Sequence, residues 1–166
     1  MNSERILAYI EQTYAAQDRH AHDSSLTHQV LTEVNRFLTL LLSIRPPRQM
    51  LVLGNSLFLH NLSHYQPIIL KSSDQLMCLS ESHFDSILLN STDQQILNNC
   101  VDLLTPGGLF IAEDSLLATL DDDIPHSMLP YVAAQHRFNQ AVAQHPNLSS
   151  TILPIGYGLT VAIKKA

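Results

Sequence analysis

The chain is poor in basic side chains. Its 166 residues include 9 lysines and arginines against 15 aspartates and glutamates, which gives a net charge of −6 when the histidines are neutral. A surface that binds nucleic acid or an anionic membrane needs clustered positive charge. The one basic doublet, Lys164-Lys165, stands at the C-terminal end. The composition therefore argues against nucleic acid and membrane partners.

Cysteine and long apolar runs are also scarce. The two cysteines, Cys78 and Cys100, have apolar neighbours and form no Cys-x-x-Cys pair, which predicts buried thiols in a reducing compartment. The longest apolar stretch, residues 37–44, is far below the ~20 residues that span a bilayer. Residues 1–5 lack the basic start and apolar core of a signal peptide. We expect a cytoplasmic protein.

What remains is typical of a globular protein, with 45% apolar residues and a length that suits one α/β domain over residues 1–166. Residues 1–47 are predicted to form a helical extension. Ser3 can cap a first helix, and apolar residues recur at helical spacing over residues 26–42. Arg45-Pro46-Pro47 ends this second helix, because proline drives the residue before it out of the helical region. Residues 48–166 then form the α/β core.

Short apolar runs bounded by turn residues predict the strands of that core. They cover residues 50–53, 67–70, 84–89 and 109–112, with a weak further strand over 75–79. Core helices are predicted after a capping-box pattern at Ser91 and Thr92 and over residues 130–145. The closing strands, 151–155 and 159–163, are joined by a link that is too short for a parallel crossover. The pattern predicts a three-layer α/β sandwich with a mostly parallel sheet and a C-terminal antiparallel hairpin.

In an open parallel sheet, ligands bind at the carboxyl ends of the strands. The candidate residues that follow those ends are Gly54, Asn55, Ser56, Ser72, Asn90, Glu113 and Asp114. Hard cations such as Mg²⁺ or Ca²⁺ prefer carboxylate and amide oxygens, so Asn90, Glu113 and Asp114 form a candidate metal site. The alternative is structural: Asn90 caps a turn, and the two acids begin the next helix.

Several segments resemble one enzyme family. They are FDSILLN (84–90), LLTPGGLFIAED (103–114, with a predicted turn at Pro-Gly-Gly), Phe138-Asn139, and LPIGYGLTVA (153–162). Together, in this order and at this spacing, they resemble the catechol O-methyltransferase-like (caffeoyl-CoA-type) family, which uses S-adenosylmethionine. The resemblance covers about half of the chain strongly. It implies a reduced form of the class I methyltransferase fold, which is Rossmann-like.

The resemblance also implies a divalent cation, on which the family holds the hydroxyl group that it methylates. The family's aspartate after the fourth strand falls on Asn90, and its Asp-Asn pair after the fifth strand falls on Glu113-Asp114. Its basic residue, which activates the hydroxyl, falls near Asp93, and the aspartate of the closing turn falls on Tyr157. None of these positions keeps the family's residue type, so no catalytic residue is assigned.

The cofactor region departs further from the family. The family's acidic residue in the first strand is Val52 here, a glycine of its cofactor loop is replaced near Phe58, and the acid that takes the ribose hydroxyls is Lys71 or Ser72. The length of the chain in this region gives the strongest argument against a cofactor site of the family's kind. Only 13 residues, 71–83, separate the second strand from residue 84, where the family fits a helix, a strand and another helix.

Three hypotheses follow. In the first, the chain is a degenerate methyltransferase-like protein that binds no cofactor, transfers no methyl group and serves as a scaffold or binding module. In the second, it is a compact, active O-methyltransferase that uses S-adenosylmethionine and a Mg²⁺ or Ca²⁺ ion on a small hydroxylated substrate. The third is an unrelated small-molecule binder on the same sheet. The broad apolar stripe of residues 26–42 and the resemblance together favour a homodimer.

Overall fold

The structure of the chain is a computed structural model that describes residues 26–56, 58, 62–79, 83–116 and 126–166. The first predicted helix, which begins near Ser3, lies outside these residues. Among the described helices, none combines the length and the apolar character needed to cross a bilayer.

Six strands form one sheet in the order β2-β1-β3-β4-β6-β5. The strands are β1 (Met50–Leu53), β2 (Ile68–Leu70), β3 (Phe84–Leu89), β4 (Leu104–Ala112), β5 (Leu148–Leu153) and β6 (Leu159–Lys164). β1 pairs in parallel with β2 and β3, and β3 pairs in parallel with β4. β6 runs antiparallel to both β4 and β5. The predicted fold class, a mostly parallel sheet with a C-terminal antiparallel hairpin, is confirmed.

Among the described residues, three helices cover the sheet: α1 (Leu26–Ile44), α2 (Gln94–Leu103) and α3 (Leu129–Gln144). One apolar core lies under α1 and includes Leu38 and Leu42, while the other lies under α2 and α3 and includes Phe138. All four residues of β1 are buried, because this central strand contributes alternate side chains to both cores. Helices on both faces thus explain why the strand sequences are apolar throughout rather than alternating.

The weak strand predicted over residues 75–79 is wrong. These residues belong to a 3-10 helix, Ser73–Leu79. Its period of three residues places Leu76 and Leu79 on one side, and both pack against the core under α2 and α3. Local hydrogen bonds also favour a turn, since the Lys71 N–H donates to Gln75 Oε1 at 3.1 Å. As a result, β2 is an edge strand of the sheet that the described residues form.

The predicted turn at residues 106–108 is wrong too, because β4 runs through it. Leu104 pairs with Phe84 and Leu109 pairs with Ser86, so the residues of β4 between these pairs bulge out of the ladder. The bulge accommodates the proline and the glycines within a strand.

The start of α2 differs from the predicted capping box. Its N-cap is Asp93, whose Oδ1 accepts hydrogen bonds from the N–H groups of Gln95 at 2.7 Å and Ile96 at 3.4 Å. Ser91 instead accepts a hydrogen bond from the Asp93 N–H at 3.2 Å. An aspartate is as effective an N-cap as serine, and its charge suits the positive end of the helix dipole.

Candidate functional site

The first residue after each central strand is fixed by a backbone hydrogen bond that extends the sheet. Gly54 N–H donates to Leu70 O at 3.0 Å, Asn90 N–H donates to Leu53 O at 2.9 Å, and Glu113 N–H donates to Leu89 O at 3.1 Å. The parallel register therefore brings the residues that follow β1, β3 and β4 to one edge. This is the edge at which open α/β sheets bind ligands.

At this edge, four side chains form a hydrogen-bonded group that we call the carboxyl-edge cluster: Ser56, Asn90, Glu113 and Asp114. The Ser56 hydroxyl donates to Glu113 Oε1. Asn90 Nδ2 donates to Glu113 Oε2 at 3.0 Å and to Asp114 Oδ2 at 3.3 Å. The cluster thus ties together the ends of β1, β3 and β4, and it contains all three predicted metal ligands.

Glu113 is the electrostatic centre of the cluster. Only 7% of its surface is exposed, and this burial is the main cause that raises its pKa to about 7. The hydrogen bonds from Ser56 and Asn90 lower the pKa and so oppose this effect, while the charge of Asp114 adds a smaller increase. Burial also raises the pKa of Asp114, again opposed by the Asn90 hydrogen bond. The two neighbouring carboxyl groups therefore favour their protonated forms more strongly than ordinary surface acids do.

The backbone at this edge is close-packed. Gly54 has a φ of 99°, and a Cβ added there would lie 2.4 Å from the carbonyl oxygen of Asn90. Only glycine fits this position without strain or displacement of the backbone. The loop after β1 consequently rests directly on the end of β3.

Phe58 continues that loop into the core. Its N–H donates to Ser56 Oγ at 3.1 Å, and its ring is buried in the apolar core under α1. Ser56 therefore accepts a hydrogen bond from the loop while it donates one to Glu113. The hydroxyl acts as a bridge between the loop backbone and the buried carboxyl group.

Two predicted cofactor residues lie apart from the cluster. Asn55 is exposed and is not among the partners of the cluster. Ser72, also exposed, accepts a hydrogen bond from the Asp74 N–H at 3.2 Å and so caps the 3-10 helix locally. The residues predicted from sequence are thus divided, with Ser56 in the cluster and Ser72 on the surface beyond β2.

Sequence reasoning missed a second polar group beside the cluster. The hydroxyl groups of Ser115 and Thr160 lie 2.6 Å apart and are buried, and Asn139 Nδ2 donates to Ser115 O at 2.7 Å. On α3, burial and then the charge of Asp114 raise the pKa of Tyr131. A usable signal existed, because Asn139 and Thr160 both stand in segments that resemble the enzyme family.

In the described part of the chain, few acidic side chains lie at this edge. Within the described ranges, no group of three or more histidine, cysteine, aspartate or glutamate side chains could hold a metal ion. In the carboxyl-edge cluster, Glu113 and Asp114 supply the two carboxyl groups, and Asn90 and Ser56 supply the other side-chain oxygens.

The fold and this edge together define a methyltransferase-like α/β architecture. No protein-family model matches the sequence, and no curated protein matches it. Comparison with solved structures gives clear similarity. A Staphylococcus aureus protein proposed to be a caffeoyl-CoA O-methyltransferase aligns with 95% of this chain and 98% of its own, at a TM-score of 0.68 and 16% identity.

Two similar structures contain S-adenosylhomocysteine. A methyltransferase from Podospora anserina with bound S-adenosylhomocysteine aligns over 100% of this chain and 97% of its own, at a TM-score of 0.62 and 13% identity. An O-methyltransferase from Bacillus cereus in complex with S-adenosylhomocysteine aligns over 99% of this chain and 93% of its own, at a TM-score of 0.56 and 20% identity. The resemblance predicted from sequence is confirmed at the level of the fold: the chain has the class I methyltransferase-like fold found in O-methyltransferases.

Proposed function

We propose that this chain keeps the methyltransferase-like fold without methyl transfer and acts as a binding or scaffold module. The observation that carries the proposal is the carboxyl-edge cluster. In a doubly wound sheet, the ligand lies where the chain connections diverge, which here is between β1 and β3. Ser56 and Asn90 come from these two strand ends and are both bonded to the buried Glu113. The polar groups at this point satisfy each other rather than face a ligand.

The region beyond β2 supports the same proposal. The 13 residues 71–83 connect β2 to β3, and those from Ser73 to Leu79 form a 3-10 helix. Residues after the second strand would have to accept hydrogen bonds from ribose hydroxyls, but Lys71 has only donors in its side chain and the Ser72 hydroxyl holds the N–H of Asp74. These groups do not fit S-adenosylmethionine.

The cluster also fits a cation poorly. Asn90 turns its amide nitrogen, a donor, toward both carboxyl groups, and each oxygen of Glu113 already accepts a hydrogen bond. A divalent cation binds deprotonated, oxygen-presenting groups. The Asn90 amide takes the position between the two acids in which a cation would have to bind.

Isothermal titration with S-adenosylmethionine and S-adenosylhomocysteine tests the proposal. We expect no saturable heat from either compound up to millimolar concentration, with or without Mg²⁺. Micromolar binding of either compound would overturn it. The variant Ser56→Ala removes the hydrogen bond from Ser56 to Glu113. It therefore tests whether this hydrogen bond alone blocks a cofactor site or whether the site is absent. A chain that binds the cofactor only after this change would still have a competent site.

The alternative function is an active, metal-dependent O-methyltransferase, which the convergence of Asn90, Glu113 and Asp114 favours. Thermal unfolding with Mg²⁺, Ca²⁺ or Mn²⁺ at pH 8 tests it, because a cation that binds the folded state alone raises the unfolding temperature. Protection by an ion that is lost in Asp114→Asn but kept in Asp102→Asn, which removes an exposed charge on α2, would establish the cation site and favour this alternative.

Assembly as a homodimer is part of the proposal. Apolar side chains remain exposed on the described part of α1, where Leu40 is 62% and Ile44 is 75% exposed. On β6, Ile163 is 46% exposed and pairs with Leu109 of the core under α1, so it lies on the same side of the sheet. Covering such side chains is the usual reason for association through a helix face.

A further inference from the structure

The opposite end of the sheet carries a cavity of about 270 Å³. It lies between the end of α1, the start of β3 and the bulged strand β4. Its walls are residues 45–48, which link α1 to β1, together with Asp85, Ser86 and Leu109. Because these residues stand at the amino ends of β1 and β3, the cavity is separated from the carboxyl-edge cluster by the length of the strands. We propose that this cavity binds the phosphate group of a small molecule.

Two arginines give the cavity its positive charge. Arg45 and Arg48 both line it, and neither guanidinium group forms a hydrogen bond or an ion pair with any residue in the described part of the chain. The planar guanidinium group donates two parallel hydrogen bonds to phosphate oxygens. Pro46 and Pro47 stand between the arginines and fix their own φ angles, so the two side chains start from a stiff backbone.

Asp85 holds this link in place. Its Oδ2 accepts from the Arg48 N–H at 2.8 Å, and its Oδ1 accepts from the Gln49 N–H at 3.2 Å. Both carboxylate oxygens are thereby engaged with the backbone that carries the arginines. With two arginines and one aspartate in the wall, the cavity keeps a net positive charge.

Ser86 supplies an independent observation. The residue is 2% exposed, and its Oγ has no hydrogen-bond partner among the described residues. In the sheet it pairs with Met50 and Leu109, which belong to the core under α1, so its side chain lies on the side of the sheet where the cavity opens beside α1. A buried hydroxyl without a partner is unfavourable. Ser86 lines the cavity, but its Oγ is itself covered, so a rotation about χ1 that turns the hydroxyl into the cavity would let a phosphate oxygen accept its hydrogen bond.

The cavity size favours a small metabolite over a macromolecule. A volume near 270 Å³ is slightly below the range of about 300–1,000 Å³ that is typical of small-molecule sites. Inorganic phosphate and a phosphate monoester share the chemistry that the two arginines recognise. The pocket does not depend on the proposed function, because it shares no residue with the carboxyl-edge cluster.

Isothermal titration of the full chain with inorganic phosphate and with glycerol 3-phosphate, at constant ionic strength, tests this assignment. We expect saturable one-to-one binding of at least one of the two, and the tighter ligand identifies free phosphate or a monoester as the source. The double variant Arg45→Gln/Arg48→Gln should bind at least tenfold more weakly. Arg137→Gln, which removes one exposed arginine from α3, should bind like the unchanged chain. No saturable heat from either ligand at 10 mM, or equal binding in the double variant, would overturn the proposal.

Ser86→Ala gives a second, independent readout. Without ligand, this variant should unfold at the same temperature as the unchanged chain or higher, because it removes an unpartnered buried hydroxyl. With ligand, its dissociation constant should rise at least threefold. Unchanged affinity in Ser86→Ala would remove the hydroxyl from the site and contradict the geometry described above.

Discussion

Replacing Glu113 with glutamine should abolish a large pH dependence of stability. The carboxyl group is buried, and its pKa rises from 4.5 to about 7 in the folded chain. Between these two values the unfolded chain has lost this proton while the folded chain keeps it. The free energy of unfolding therefore falls as the pH rises, by about 1.4 kcal/mol per pH unit.

The full effect follows from the size of the pKa change. A rise in pKa from 4.5 to about 7 corresponds to a loss of about 3 kcal/mol in the free energy of unfolding between these two pH values, with no further loss above the upper one. The contribution of the protonated Glu113 to stability is fully present below pH 4.5, where the folded and unfolded chains are both protonated at this site. Glutamine is close in shape to the protonated acid and, like it, offers both a donor and an acceptor, but it has no proton to release.

The assay is urea unfolding of both chains at half-unit steps from pH 4.5 to pH 8.5, in EDTA to remove cations. The quantity of interest is the difference in unfolding free energy between Glu113→Gln and the unchanged chain, because the contributions of other titrating groups largely cancel in it. From the lowest to the highest pH, the unfolding free energy of the variant should rise by about 3 kcal/mol relative to that of the unchanged chain. Asp102→Asn, a loss of one exposed charge on α2, provides the baseline for a change in net charge. Parallel pH profiles for the two chains would refute the reasoning.

Three further predictions concern packing, reactivity and assembly. Gly54→Ala should lower the unfolding free energy measured in urea titrations by about 1–3 kcal/mol or more, because the new Cβ would lie 2.4 Å from Asn90 O. The loss should exceed that of the control variant Gly107→Ala, where the atom nearest to the new Cβ is 3.7 Å away. Equal losses in the two variants would contradict the close packing at Gly54. Cys78 is exposed, whereas burial raises the pKa of Cys100 to about 12. A chromogenic disulfide reagent should therefore react quickly with Cys78 and with Cys100 only on unfolding. Rapid reaction of both thiols in the folded chain would be inconsistent with the burial of Cys100. Sedimentation should give a dimer that Ile44→Glu converts to a monomer, and a monomeric unchanged chain at high micromolar concentration would exclude this interface.

The strands and helices were predictable where local rules act alone. Met50–Leu53 and Phe84–Leu89 are apolar runs bounded by turn residues, and β1 buries every side chain, so their assignment needed no knowledge of the fold. The antiparallel hairpin followed from the short link around Gly156. The segment 75–79 was wrongly assigned because a short apolar run fits a strand and a helical turn equally well until packing selects one.

The candidate site was only partly predictable. Parallel strands align their carboxyl ends, so the proximity of Asn90, Glu113 and Asp114 could be expected from their positions after β3 and β4. The role of Ser56 could not, because its hydrogen bond to Glu113 joins residues 57 positions apart. The separation of Ser72 from the cluster had the same cause, since sequence gives the end of β2 but not the direction of the chain beyond it.

By itself, the sequence determined the class of the fold, the edge of the sheet at which polar residues gather, and the shortage of chain between β2 and β3, because periodicity, turn residues and loop length are local properties. Only the tertiary structure decided that the carboxyl group of Glu113 is buried and bonded to Ser56 and Asn90, and that Arg45, Arg48 and Ser86 meet at a cavity on the other end. Burial and hydrogen-bond partners depend on which distant segments come together. That information resides in the packing of α1 and the register of the sheet.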